Sequence, residues 1–349
     1  MSPPIDRSMD ILERQVVQLR ERRETVILTD REVRRLLSLP DCIEQQALAF
    51  REFSAGRVLS PPRVRMQLAP DRASSVMPGY VAAVEALGCK VLARCLPNRR
   101  RGLPTLLGTL VLLDPATGLP LAFMSATYLT NARTAAAVAL AVRVLSPTDA
   151  ASVGVYGSGP LARLILEALT HVRRVRDVVV YSPTADNRGR YAEEMSARLG
   201  LAVSAAPDAS GPAGADLVVA ATSSPEPVLD ARLLRRGATV VSVAARLPEV
   251  PIEALRGNRL VVDSREAALH EAGELVSGIA AGQLDETAIA AELGEILLGR
   301  APGRERQDEI CIFKSTGLAV QDLVTARAVL AAALTAGAGT RVAIQDGAQ

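Results

Sequence analysis

The sequence predicts an α/β protein: a doubly wound parallel sheet, preceded by an antiparallel sheet with helices of its own. Three observations predict it. After Ser146-Pro147, short apolar runs alternate with helix-length segments. Between Pro61 and Thr130, strand-like runs follow one another with turn residues between them. Residues 153–169, VGVYGSGPLARLILEAL, join an apolar run to a helical pattern through a glycine turn. Strands alternating with helices build parallel sheets, and strands separated by turns build antiparallel ones. A chain of 349 residues is long for one core, so two domains, or one domain with an elaboration, are expected.

Residues 1–24 are charged throughout and read as an N-terminal helix or arm. ETVIL is a short strand, and Thr29 or Asp30 caps the helix after it. PDCIEQQALAFREFSAG is a second amphipathic helix ending at Gly56. VRMQL, CKVLARCL, LLGTLVLLD and LPLAFMSA are strands, punctuated by turns such as DPATG. TNARTAAAVALAVRVLS is an alanine-rich helix linking two domains. Beyond it come SVGVYG, a helix at 160–170, DVVVYS, a helix at 186–199, LAVSAA, DLVVAAT, ATVVSVA and RLVVDS. Residues 266–300 read as helical, and DEICIFKSTG as a short strand with a glycine turn. LAVQDLVTARAVLAAALTAG is a final helix that packs back on the first domain, followed by a frayed tail, RVAIQDGAQ.

Composition excludes several classes. The net charge is +2, Trp is absent and aromatics make up 3%, so neither nucleic acid nor an anionic membrane is an expected partner. No run approaches the roughly 18 apolar residues of a membrane span. The N-terminus lacks a signal-peptide apolar core, which makes a cytoplasmic enzyme the expectation. Cys42, Cys89, Cys95 and Cys311 form no CxxC pair and no zinc spacing, so they read as reduced and packed, and no metal is expected. Only Lys90 and Lys314 of the 40 basic residues are lysine. Genomic base composition accounts for the arginine excess, yet lysine alone of the two releases a proton near neutrality. His171 and His270 lie in no motif.

Gly157, Ser158, Gly159, Pro160, Leu161 and Ala162 fit GxGxxA. The first glycine permits the turn, the second lets backbone approach a pyrophosphate, and the small third position allows close strand–helix packing. An acid for the adenosine ribose is due about 20 residues on. The strand there ends instead in Tyr181-Ser182-Pro183-Thr184, with Arg188 and Arg190 following. Hydroxyls and a guanidinium accept a 2′-phosphate that a carboxylate repels, so the pattern leans to NADP(H), or dual use. Asp186 keeps NAD(H) open as a rival ribose ligand. Thr222 and Ser223 follow DLVVA at its C-terminal end, where cofactor contacts are expected.

Several stretches together resemble the ornithine cyclodeaminase/mu-crystallin family. They are SPPRVRM (60–66), VMPGY (76–80), LGCKVLARCLPN (87–98), GLPTLLGTLVLLDPATGLPLAFM (102–124) and LTNARTAAA (129–137). Past the glycine turn come AATSSPEPVL (221–229), VVDSREAALHEAGEL (261–275), ELGEILLGRAPGR (292–304) and DEICIFKSTGLAVQDL (308–323). The resemblance is collinear from about residue 26 to 335. It implies a Rossmann domain (133–318) inserted in a split α+β substrate and dimerisation domain (25–132 plus 319–340), behind an arm at 1–24. It also implies a homodimer, joined through the N-terminal sheet, that binds a small amino or imino acid with NADP(H) or NAD(H).

The chemistry implied is hydride transfer at a substrate α-carbon, as in alanine dehydrogenases, ketimine reductases and opine-like synthases. Such a site needs a cationic clamp for the α-carboxylate and a group that moves a proton. Neither histidine lies in a matched segment. By resemblance Lys90 contacts the carboxylate and assists proton transfer, and burial beside other cations lowers a lysine's pKa toward a useful range. Arg63 and Arg133 correspond to carboxylate-binding arginines, with Arg65 able to replace Arg63. Thr134, opening the linking helix, holds the cofactor. Lys314 lines the nicotinamide side or forms a structural ion pair. Met77 lines the substrate pocket or fills the core.

One departure stands out. Cyclodeaminases carry an aspartate after the strand equivalent to ATVVSVA; here VAARLPEVP puts Ala245 or Arg246 there, with Glu249 displaced. That weighs against cyclisation of ornithine or lysine, which remains the alternative. A non-catalytic NADPH and small-ligand-binding protein, like the crystallin branch, is the third reading.

Overall fold

A computed structural model describes the backbone of residues 7–344 and the side chains from residue 15 to 344. The chain divides into two compact units. One comprises Met1–Glu52, Gly56–Thr130 and Ala319–Gln349; the other comprises Phe53–Ala55 and Asn131–Leu318.

The chain opens with α1 (Arg7–Arg22), β1 (Glu24–Leu28), α2 (Asp30–Leu36) and α3 (Leu39–Ser54). Thr29 caps α2 in a capping box: its hydroxyl accepts from Glu32 N, and its own amide donates to Glu32 Oε2 at 2.8 Å. There follow β2 (Val58–Leu59), β3 (Val64–Ala69), β4 (Arg72–Val81), β5 (Ala86–Cys95), β6 (Leu106–Leu113), β7 (Pro120–Ser125) and α4 (Thr127–Leu145). The strand β4 was not among the expected strands, and Pro78 falls inside it. Proline has no N–H for the ladder and belongs on edges. Pro78 sits on the stretch of edge between the partners of β3, which begin at Val76, and those of β2, at Tyr80 and Val81.

The second unit continues with β8 (Ser152–Tyr156), α5 (Pro160–Thr170), β9 (Asp177–Tyr181), α6 (Ala185–Leu199), β10 (Ala202–Ala205), β11 (Leu217–Ala220) and β12 (Thr239–Ser242). Then come α7 (Ile252–Leu255), β13 (Arg259–Val262), α8 (Arg265–Glu271), α9 (Gly273–Ala280), β14 (Ile289–Glu292), α10 (Leu293–Leu297) and β15 (Cys311–Lys314). The strands form one parallel sheet in the order β10-β9-β8-β11-β12-β15-β13-β14. From β8 the chain first runs outward through β9 and β10, then crosses back to β11, so β8 and β11 flank the switch point where such sheets bind ligands. The central strands β11, β12 and β15 are buried at every position, which is why they read as continuous apolar runs. Residues 266–300 are not one helical segment: Gly282, at φ +64°, ends the helical stretch, and IAAE pairs with β13 as β14.

The chain closes with α11 (Ala319–Thr335) and β16 (Thr340–Ala343) in the first unit. The first sheet runs β16-β1-β7-β6-β5-β4-β2, with β3 also on β4. It is mixed, not purely antiparallel, since β1 and β7 are parallel. Part of the expected frayed tail is ordered: Thr340–Ala343 pairs antiparallel with β1, while residues 345–349 lie outside the described residues. Among the described residues, no helix is long and apolar enough to cross a membrane.

Candidate active site

Both lysines are buried against a carboxylate, one in each unit. In the first unit, β4 and β5 pair so that Met77 stands opposite Lys90 and Gly79 opposite Gly88. These four residues share one sheet face, because alternate residues of a strand project together. A Cβ on Gly79 would lie 3.0 Å from Leu323 Cδ1, and one on Gly88 would lie 2.2 Å from Val111 O and 3.1 Å from Leu323 Cδ2. The two glycines thus seat Leu323 and let α11 lie close on the sheet. Its neighbour Asp322 then reaches Lys90, with Nζ 2.5 Å from Oδ2 and neither side chain exposed. Met77 on one side and Leu110 on the other, both buried, flank Lys90 across the ladder.

The buried partner of Lys90 that the structure shows is thus a carboxylate. Met77 and Lys90 face each other across the β4–β5 ladder, with the half-buried Arg63 just ahead of β3. Arg65 is exposed and donates to Gln67 Oε1 at 3.1 Å.

In the second unit, the glycine turn leaves β8 at the switch point. Gly157 has φ +107°, and a Cβ there would lie 2.3 Å from Ala221 O. Gly159 caps α5 with ordinary φ −82° and no side-chain cap bond, Pro160 follows at the first turn, and a Cβ on Gly159 would meet nothing within 4 Å. Packing demands the first glycine and leaves open space at the second, before helix amides in need of an acceptor. That space fits a dinucleotide pyrophosphate. Ala162 is fully buried, and Leu161 beside it is half-buried. Ser158 Oγ lies 3.1 Å from Ser182 Oγ. Arg188 braces the same corner, donating to Ser182 O at 3.0 Å and Pro207 O at 3.3 Å, with its guanidinium 5.6 Å from the Tyr181 ring centroid. Asp186 is exposed in the first turn of α6.

Glu249 is fully buried and spends its carboxylate on three backbone amides and one hydroxyl. Oε1 accepts from Thr222 N at 2.6 Å; Oε2 accepts from Ser242 Oγ at 2.9 Å, Val243 N at 3.0 Å and Ala244 N at 2.8 Å. It ties the ends of β11 and β12 together and so does not replace the missing aspartate. Ser223, next to Thr222, is exposed at that edge, and so is Arg246 in the following loop. Lys314 takes the second of its two expected roles. Its ammonium donates to Ser242 Oγ at 3.0 Å, Ala244 O at 2.6 Å and Glu274 Oε1 at 2.9 Å. Burial pushes the Glu274 carboxyl above the usual range, against the pull of Lys314.

Arg133 and Thr134 are both buried in the second turn of α4, which begins at Thr127, ahead of the expected run from Thr130. A Cβ on Gly317 would lie 3.0 Å from Arg133 Nη2 and 3.2 Å from Nη1. Asp322, Asp263 and Glu274 are buried acids beside these groups that sequence reasoning missed. Asp322 left one mark, a lone acid in the apolar run LAVQDLVTARAVLAAAL.

A glycine turn at the switch point of a parallel sheet defines a dinucleotide-binding protein, here with a buried lysine–aspartate pair in a second unit. The profile of the ornithine cyclodeaminase/mu-crystallin family matches residues 23–336, and the chain belongs to that family. It is 34% identical to a Δ1-pyrroline-2-carboxylate reductase of Bacillus cereus over 323 residues, 91% of this chain and 99% of that one. Among solved structures it is similar to Thermococcus litoralis Δ1-pyrroline-2-carboxylate reductase in complex with NADH and L-proline. There the TM-score is 0.89 at 36% identity, covering 91% of this chain and 100% of that one. An archaeal alanine dehydrogenase dimer with bound NAD matches with a TM-score of 0.88 at 32% identity, covering 92% and 100%.

Proposed function

We propose that this protein is an NAD(P)-dependent oxidoreductase that reduces an α-imino acid, of the cyclic pyrroline-carboxylate kind, to the amino acid. The observation that carries this reading is Lys90, buried opposite Met77 in the β4–β5 ladder and paired with Asp322. The reaction adds a hydride to the α-carbon and a proton to the imine nitrogen. A bound nicotinamide dinucleotide supplies the hydride. Lys90 binds the substrate carboxylate and delivers the proton, and Asp322 holds the ammonium in place and steadies its charge. Arg63 and Arg133 add guanidiniums suited to bidentate carboxylate recognition. Gly157–Ala162, Thr134, Thr222 and Ser223 hold the dinucleotide, and Ser182 with Arg188 favours a 2′-phosphate while leaving NAD(H) usable.

The protein is further proposed to be a homodimer through the outer face of the first sheet. Ile27, Val64, Met66, Val91 and Phe123 are exposed there, an apolar surface of the kind that marks association. The dimeric alanine dehydrogenase supports this reading. Sedimentation of a stable monomer would overturn it.

Absorbance at 340 nm, with NADPH or NADH and 1-pyrroline-2-carboxylate, pyruvate plus ammonia, or ornithine, tests the activity. Oxidation of the cofactor by the cyclic imine is expected. Ammonia released from ornithine without net cofactor change would reassign the chain as a cyclodeaminase. Cofactor bound without turnover of any substrate would reassign it as a binding protein.

A further inference from the structure

We propose that Asp263 and Gly317 are positioning residues that set the Arg133 guanidinium for its carboxylate. The proposal rests on the reading of Arg133 as a carboxylate-binding cation. Asp263 follows β13 and is fully buried. Because β13 and β15 are parallel neighbours with Val262 beside Lys314, the turn leaving β15 passes over the end of β13. Asp263 grips that turn through consecutive residues. Its Oδ2 accepts from Ser315 Oγ at 3.0 Å, Thr316 N at 2.6 Å and Gly317 N at 2.6 Å, and its Oδ1 accepts from Thr316 Oγ1 at 2.9 Å. Ser264 N adds a further bond to Oδ1 at 3.0 Å.

The gripped turn ends at Gly317, whose φ of +81° only glycine adopts readily. A Cβ there would stand 3.0 Å from Nη2, 3.2 Å from Nη1 and 3.5 Å from Cζ of Arg133, so the guanidinium lies directly on the space a side chain would fill. The bare backbone at 317 is thus a shelf for the Arg133 fork, and Asp263 fixes the height of the shelf. A planar fork binds a carboxylate in bidentate fashion only in one orientation, so the shelf's effect falls on carboxylate recognition.

The test compares wild type with Asp263→Asn, Gly317→Ala and Arg133→Ala on two imines, 1-pyrroline-2-carboxylate and carboxylate-free 1-pyrroline. The two shelf variants are expected to raise KM for the carboxylate substrate by about tenfold or more, as small misplacements do. Their efficiency with 1-pyrroline and their dinucleotide affinity are expected to stay at the wild-type level. Equal losses on both imines would overturn the positioning role. If Arg133→Ala leaves the preference for the carboxylate unchanged, the reading of Arg133 fails; if it abolishes the preference while the shelf variants keep it, only the shelf fails. A substrate-free readout completes the test should Asp263→Asn not fold. Crystal structures of wild type and Gly317→Ala are expected to differ in the Arg133 guanidinium, and an unmoved guanidinium would overturn the proposal.

Discussion

Lys90 Nζ lies 2.5 Å from Asp322 Oδ2, with both side chains sealed from solvent between β5 and α11. A buried pair of this kind is costly to break on one side only, because the remaining charge loses its partner. Asp322→Ala is therefore expected to destabilise the protein by about 3–5 kcal/mol and to abolish turnover. Replacing both charges with apolar side chains, as in Lys90→Met with Asp322→Leu, is expected to restore most of the stability but none of the activity. Denaturant midpoints and initial rates separate the two effects. A double variant as active as wild type would remove Lys90 from the chemistry.

The two glycines of the turn are expected to respond differently to the same change. Gly157→Ala places a methyl at φ +107° and 2.3 Å from Ala221 O, so it costs stability, about 1–2 kcal/mol from the backbone conformation alone. Gly159→Ala meets no protein atom within 4 Å, and its backbone is ordinary. Its melting temperature is expected to match wild type, while dinucleotide affinity falls by about tenfold, equivalent to one charge-assisted hydrogen bond. A melting temperature lowered as much as that of Gly157→Ala would show that the space at Gly159 is structural.

What the sequence made legible was local. The helix cap at Thr29 or Asp30, the glycine turn and the buried runs of the parallel sheet each depend on neighbours within a few residues. The strand β4 went unread, and the Pro78 inside it suits a strand only on an edge that long-range pairing reveals. IAAE at 289–292 is too short to declare itself and becomes a strand only by pairing with β13. The site divided along the same line. Lys90 stood out as one of two lysines, but Asp322 is separated from it by most of the chain and is joined to it only because Gly79 and Gly88 seat Leu323. Lys314 shared the same rarity, and nothing local in the sequence reveals that its ammonium is held by Glu274.

The proposed preference for NADP(H) is tested at Arg188. Its guanidinium already holds two backbone carbonyls, so Arg188→Ala loosens the corner for either cofactor. A 2′-phosphate adds a charge-assisted interaction on top, and NADPH affinity is expected to fall about tenfold further than NADH affinity. Fluorescence titration with both cofactors measures the ratio. Equal losses would leave Arg188 as a brace alone and return the ribose to Asp186.

Asp216 supplies a pH dependence whose sign is fixed by its surroundings. Burial works to raise its pKa, but bonds from Ala151 N, Ser152 N and Ser152 Oγ, with Arg235 2.5 Å away, outweigh it and hold the carboxyl below its ordinary value. A depressed folded pKa means stability that is present above the unfolded value, near 3.9, and lost as pH falls through the folded one. Asp216→Asn keeps the shape and removes the charge, so at pH 7 it is expected to cost about 1–3 kcal/mol. The gap to wild type is expected to close as the pH drops below about 4, where the wild-type carboxylate also takes up its proton. Denaturant melts of both proteins from pH 7 down to 3 follow the gap directly. A gap constant across that range would mean that Asp216 anchors the ends of β8 and β11 by shape, with its charge contributing nothing.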